Sequence, residues 1–268
     1  MFNFFGAKNH EHSLVVKIRG GLGNQLFQYA FYRSLSEKFD NVFIDNSFFL
    51  KQFKRNFQLN KFPYIKYKIN NKKNRNAIIC RDNPDFTYTP IPEIIDTSLI
   101  FDGYWQSEKY FQDYASLIKT ELKPNTLISE KLNRIVQSGM INVSIHIRRT
   151  DYVSQPDKHP LQPIEYYADA ISALSKYDKL FVFSDDINWC KNNLSFEKMH
   201  FIDSLSDIEN FWLMSKCTHN IIANSSFSWW AAWLNDNDNK TIIAPKNWFG
   251  KAMPNKTNDL IPETWLQI

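Results

Sequence analysis

Short apolar runs alternate with stretches of helical spacing along most of this chain. Leu14 to Ile18 is apolar and ends at Arg19; Gly20-Gly21-Leu22-Gly23 follows, and a helical stretch runs from about Asn24 to Phe39. Val42 to Ile44, ending at Asp45, reads as the next strand, so the three segments form one βαβ unit. Further on, Ile141, Val143, Ile145 and Ile147 alternate with Asn142, Ser144, His146 and Arg148, the period-two pattern of a strand. Leu180 to Phe183 is continuously apolar, as strands buried on both faces are. Met199 to Ile202, Asn220 to Ala223 and Thr241 to Ala244 are further strands. Ile208, Phe211, Trp212 and Ser215 have helical spacing, as do Phe227, Trp230, Ala231 and Leu234. Strands and helices in alternation predict an α/β fold. Residues 46–100 have no clean period, and Pro84, Pro90 and Pro92 interrupt them, which predicts short helices and loops. The boundary between the two halves falls near Ser138-Gly139, giving an N-terminal α/β domain over 1–138, a second over 139–250, and a tail over 251–268 that packs back on the first.

Composition narrows the class. A chain of 268 residues holds one large or two small domains. Its net charge of +4 comes without any run of five or six like charges, which argues against a nucleic-acid partner. Basic residues gather loosely between Lys51 and Arg81, including Lys54, Arg55, Lys72 and Lys73; they form a solvated face or a weak attraction for an anionic membrane surface. The three cysteines, Cys80, Cys190 and Cys217, lie far apart with no zinc spacing, as in a reducing compartment. Met1 to Ser13 has no apolar core of a signal peptide, and no stretch of about 18 apolar residues occurs, so a cytoplasmic protein without a membrane span is expected. Aromatics make up 16%, available either for core filling or for stacking on sugars and bases.

Four clusters carry chemistry. Gly20 to Gln25 joins a strand to a helix; glycines there let backbone N–H groups approach a phosphate, though a tight turn needs them equally. The segment is neither a Walker loop nor a G-x-G-x-x-G fingerprint. His146-Ile147-Arg148-Arg149-Thr150-Asp151 ends a strand, where open α/β sheets bind ligands, and a guanidinium there suits a diphosphate. Phe183-Ser184-Asp185-Asp186 ends another strand in two acids, one placed to cap the next helix and one to meet a metal, a ribose or a base edge. Ala223 to Trp230 leads from a strand into a serine-capped helix, a phosphate cradle or an ordinary cap.

Taken in order, Gly20 to Ala30, Gly103 to Phe111, His146 to Asp151, Phe183 to Asp186, Ile222 to Leu234 and Ala244 to Phe249 resemble glycosyltransferase family 11, the α-1,2-fucosyltransferases. The late Asn258-Asp259, Pro262 and Trp265 fit as well. The resemblance implies a GT-B-like architecture of two Rossmann-like halves facing a cleft. GDP-fucose would lie on the C-terminal half and much of the acceptor on the N-terminal half. It implies inverting transfer to the 2-hydroxyl of galactose and no metal requirement, which moves Asp185 from metal ligation to nucleotide contact. By resemblance the donor contacts are Gly21, Gly23, Asn24, Arg148, Ser184, Asp185, Ser225, Ser226 and Phe227. Arg148 faces the diphosphate, Asp151 or His146 is the candidate base, and Asn24 an alternative that orients the acceptor hydroxyl. Animal members carry an N-terminal anchor; this chain resembles the bacterial type, working on galactose-terminated or lipid-linked glycans, with peripheral contact at the inner membrane face. The alternatives are another linkage or GDP-sugar, and, from another class, a glycan-binding protein stacking sugars on Trp105, Trp229 and Trp230.

Overall fold

A computed structural model describes residues 12–51, 54–71, 75–91, 97–253 and 256–268. The reading of the N-terminus up to residue 11 and those of Lys72, Lys73 and Pro92 lie outside these residues. The chain runs through β1 (Leu14–Lys17), α1 (Leu22–Ser36), β2 (Val42–Asp45), β3 (Ile78–Arg81), β4 (Leu99–Asp102), α2 (Ala115–Glu121) and α3 (Thr126–Val136). It continues through β5 (Asn142–Ile147), α4 (Thr150–Val153), α5 (Ile164–Ser172), β6 (Lys179–Ser184), α6 (Ile187–Asn193), β7 (Met199–Phe201), α7 (Asp207–Lys216), β8 (His219–Ile221), α8 (Ser226–Trp233), β9 (Ile242–Ala244) and β10 (Leu266–Gln267).

The strands form two sheets, ordered β2-β1-β4-β3 and β10-β9-β8-β5-β6-β7. Every pairing in both is parallel. Parallel sheets need both faces covered, which is why β5 is buried along its whole length. Numbered within its own half, the second sheet runs 3-2-1-4-5-6 from β7, the doubly wound order whose direction reverses between β5 and β8. In the first sheet β1 and β4 are likewise the central neighbours, although there the chain reaches β4 from the edge strand β3. Ligands of such sheets bind beyond the strand ends at the reversal. His146 to Asp151 covers the end of β5 and the turn after it, and Ala223 to Ser226 comes after β8; after β1 and β4 come Gly20 to Gly23 and Gly103 to Gln106.

Residues 46–100 differ from expectation. Beside 3₁₀ turns they contain β3 and the start of β4. β3 is an edge strand with Ile78, Ile79 and Arg81 exposed, so it has no buried face to print an alternation on the sequence. The tail touches both halves. Asp259 accepts hydrogen bonds from the Tyr88 backbone N–H (2.8 Å) and from Lys109 of the N-terminal half, and β10 then pairs with β9 of the second sheet.

The two halves share a core. α1 packs against α8, and α3 against α7. Phe27 of α1 lies 4.5 Å from the Trp229 ring and 5.1 Å from Trp230, and Phe111 stacks on Trp230 at 5.2 Å. Trp105, Trp229 and Trp230 are 5%, 0% and 0% exposed. They fill the core and offer no face to a sugar, which removes the stacking platforms of the glycan-binding alternative. Rings paired in this way contribute about 0.5–1.5 kcal/mol each beyond the area they bury.

Candidate active site

β1 runs into Gly20, whose φ of +85° lies in the left-handed region that side chains other than glycine rarely adopt. Gly21 is the N-cap of α1 and supplies no side-chain cap. Gly23 is in the first turn, and a Cβ there would stand 2.3 Å from the carbonyl carbon of Ser226 and 2.5 Å from the Phe227 nitrogen. The glycine is therefore needed for α1 to meet α8 backbone to backbone. Ser225 is the N-cap of α8 and likewise makes no side-chain cap. Two helix N-termini, one from each half, thus converge with first-turn N–H groups that no N-cap side chain satisfies. Each carries roughly half a positive charge.

The adjacent arginines point to different tasks. Arg148 Nη1 is 3.0 Å from Asp185 Oδ2 and its Nη2 is 2.5 Å from Asp151 Oδ1. It lines the cleft. Arg149 turns onto α6, its guanidinium 3.6 Å from the centre of the Trp189 ring and 3.3 Å from Asp186. The two acids divide as well. Asp186 caps α6 by accepting from the Trp189 N–H. Asp185 accepts from the Arg149 N–H at 2.9 Å and from the Thr150 hydroxyl in addition to Arg148, so it braces the loop after β5.

His146 is 6% exposed and its Nδ1 has no hydrogen-bond partner among the described residues. Burial, reinforced by the Arg148 charge, pushes its pKa from 6.5 down to about 4. The ring is neutral at neutral pH and feebly basic. Asp151 has both oxygens engaged, Oδ1 by Arg148 and Oδ2 by Arg55 Nη2 at 3.3 Å across the cleft. Asn24 Oδ1 accepts from Gln106 Nε2 at 2.7 Å and from the Ser226 hydroxyl at 2.9 Å. Tyr152 donates its hydroxyl to the Asn224 carbonyl at 2.8 Å, and burial raises its pKa to about 12.

These groups surround one cleft of about 590 Å³, within the range of small-molecule sites. Gly21, Gly23, Asn24, His146, Arg148, Asp151, Ser184, Asp185, Ser225, Ser226 and Phe227 all line it, although they come from both ends of the sequence. Arg55, Gln106, Tyr104, Asp207 and Asn210 line it too. Gln106 lies within the Gly103–Phe111 segment without any chemical mark of its own, and Arg55 is hidden in a loosely basic stretch. Among the described residues, no group of three His, Cys, Asp or Glu side chains is placed to hold a metal, and no helix is long and apolar enough to cross a membrane.

Known proteins share this fold or resemble this sequence. A NodZ α-1,6-fucosyltransferase, in a crystal soaked with GDP-fucose, superposes with a TM-score of 0.53 at 15% identity, over 84% of this chain and 93% of that one, and shows the GT-B fold. An α-1,2-colitosyltransferase of Escherichia coli is 34% identical, over 95% of this chain and 98% of its own. The O-antigen biosynthesis glycosyltransferase WbnK, also of Escherichia coli, is 30% identical over 94% and 99%. The family model described as glycosyl transferase family 11 matches residues 8–268. With nearly its whole length matched, this chain belongs to glycosyltransferase family 11.

Proposed function

We propose that this glycosyltransferase moves L-fucose from GDP-β-L-fucose to the 2-hydroxyl of a galactose-bearing glycan, with inversion, to form an α-1,2 linkage. The observation that carries the reading is Arg148 standing at the reversal point of the second sheet, beside two helix N-termini that no side chain caps. That is a cradle for a diphosphate. As the bond from C1 to the diphosphate oxygen breaks, its electron pair passes to that oxygen, and Arg148 with the first-turn N–H groups stabilises the charge. Preorganised donors of this kind are commonly the largest catalytic contribution. The acceptor oxygen bonds C1 from the opposite face and then gives up its proton. Asp151 is the better placed base once a diphosphate has taken its position on Arg148; a pH–rate profile of Asp151→Asn identical to that of the parent would remove it.

A second reading is favoured by the 34% identity to the α-1,2-colitosyltransferase: the same α-1,2 transfer with GDP-colitose as donor. The donor cradle reads a diphosphate and not the sugar, so both readings share one site. We further propose that the reaction needs no metal and that the acceptor is a galactose-terminated or lipid-linked glycan reached at the inner membrane face. The deciding experiment mixes EDTA-treated protein with GDP-fucose or GDP-colitose and lactose, and follows GDP release with NMR of the product. Fucose on galactose O2 supports the first reading, and turnover with GDP-colitose alone supports the second. Failure of the protein to bind GDP-fucose, GDP-colitose or GDP refutes the donor site.

A further inference from the structure

Asn24 is the third residue of α1 and lines the cleft. Its Oδ1 accepts from Gln106 Nε2 at 2.7 Å and from Ser226 Oγ at 2.9 Å. An amide oxygen has two lone pairs, so both are in use. Its Nδ2 makes no hydrogen bond among the described residues and lies beside the Gly20-Gly21 turn, 2.8 Å from where a Cβ on Gly20 would sit. What Asn24 has left to offer is N–H alone. Such a group cannot take a proton. Aimed at the acceptor hydroxyl, it would meet an oxygen that loses negative charge to C1 as it attacks, so it would stabilise the transition state little. Aimed at an oxygen gaining negative charge, it is worth most.

The orientation is imposed from outside. Gln106 follows β4 and is 9% exposed; Ser226 opens α8 in the other half. The two reach Asn24 from different sheets, so the amide is fixed only while the halves stand in this relation. We propose that Gln106 is a positioning residue: with Ser226 it holds the Asn24 amide with Oδ1 occupied and Nδ2 at the Gly20-Gly21 turn, as a neutral donor to the leaving diphosphate. This rests on the reading of the cleft as the donor site.

Gln106→Glu tests it with almost no change of shape. A carboxylate cannot donate to Oδ1; it accepts from Nδ2 and turns the amide around. The expected result is a kcat lower by on the order of 10²-fold, as for loss of one oxyanion donor, with acceptor KM and melting temperature unchanged. In an Asn24→Ala background the same substitution should have little further effect, because Gln106 acts through Asn24. Equal losses in both backgrounds, or wild-type kcat in Gln106→Glu, overturn the proposal. A readout that needs no turnover is the side-chain amide resonance of Asn24 in ¹⁵N-labelled protein, assigned by its disappearance in Asn24→Ala. It should shift in Gln106→Glu, and an unmoved resonance also overturns the lock. Wild-type protein that fails to bind GDP counts against the donor reading alone, and the resonance then still decides the lock.

Discussion

The substitution Gly23→Ala strikes the contact on which the cleft is built. The added Cβ would stand 2.3 Å from the Ser226 carbonyl carbon and 2.5 Å from both the Ser226 oxygen and the Phe227 nitrogen. Ordinary heavy-atom contact is about 3.5–4.0 Å, so the two backbones must part by roughly 1 Å. Neither side is the tip of a flexible side chain; both are first turns of helices that are already packed on each other through Phe27 against Trp229 and Trp230. Overpacking of this kind costs about 1–3 kcal/mol. At about 2–4 °C per kcal/mol for a chain of this class, the melting temperature falls by several degrees. The same displacement stretches the 2.9 Å bond from Ser226 to Asn24 out of range, and a misplacement of about 1 Å lowers rates by about 10². Thermal unfolding and GDP release with lactose as acceptor read the two effects separately. Gly21→Ala separates sterics from the loss of a glycine: its Cβ meets nothing nearer than Arg55 Nη1 at 3.8 Å, and a φ of −76° suits alanine, so its melting temperature moves less. A Gly23→Ala protein that melts and turns over like the parent refutes the backbone contact between α1 and α8.

Three further outcomes are expected. Arg148→Ala lowers kcat by on the order of 10²–10³ in single-turnover measurements; unchanged turnover removes Arg148 from the leaving group. Arg149→Met loses the Asp186 pair and the stacking on Trp189, so thermal melting shifts down while GDP affinity by calorimetry stays near the parent value; equal losses of affinity for the two arginine variants would refute the division of labour. His146 takes a proton near 6.5 when unfolded and only near 4 when folded, so the unfolded chain binds more protons between those values. Its contribution to stability is complete above pH 6.5 and lost as pH falls toward 4, by about 3 kcal/mol at 1.36 kcal/mol per pH unit. Urea unfolding at pH 7, 5 and 4 should show a shallower pH dependence for His146→Phe, and matching dependences would refute the burial of a neutral ring.

The elements around the cleft are legible in the sequence because strands buried on both faces are apolar throughout and break off abruptly into the polar site. Leu180 to Phe183 followed by Ser184-Asp185-Asp186 is the clearest case, and β6 spans Lys179–Ser184. Periodicity places α1 correctly but not its ends: the helix starts at Leu22 and stops at Ser36, since a glycine cap leaves no side-chain signal and the last turn frays. β3 and β10 are not legible, the one for want of a buried face and the other because it is two residues long. The glycines are recognisable as special, yet their reason is not: Gly20 serves a positive φ and Gly23 a helix crossing, where the sequence alone offers only phosphate approach or a tight turn. Gln106 and Arg55 gain meaning only when folding brings them beside residues 82 and 96 positions away.

Charge balance in the cleft leads to a last prediction. Arg148 is held by two carboxylates, and a diphosphate must compete with them for its N–H groups. Asp185 is the poorer candidate to yield, being 19% exposed and tied also to the Arg149 N–H and the Thr150 hydroxyl. Asp151 is 37% exposed, and among the described residues its carboxylate is held only by guanidiniums, one from each half. On the proposed reading, a diphosphate presents the same chemistry to both and more charge, so it would displace Asp151 from Arg148 and leave that carboxylate held by Arg55 alone, its Oδ1 open to the reacting centre. Asp151→Asn removes the competing charge. Since a part-exposed pair of this sort is worth about 0.2–1 kcal/mol, GDP should bind slightly to severalfold tighter by calorimetry, while kcat falls if the released carboxylate takes the acceptor proton. Tighter binding with lower turnover would tie the two roles to one residue. Weaker GDP binding would show instead that Asp151 orients Arg148 and does not compete with the ligand, and the displacement argument would then fail.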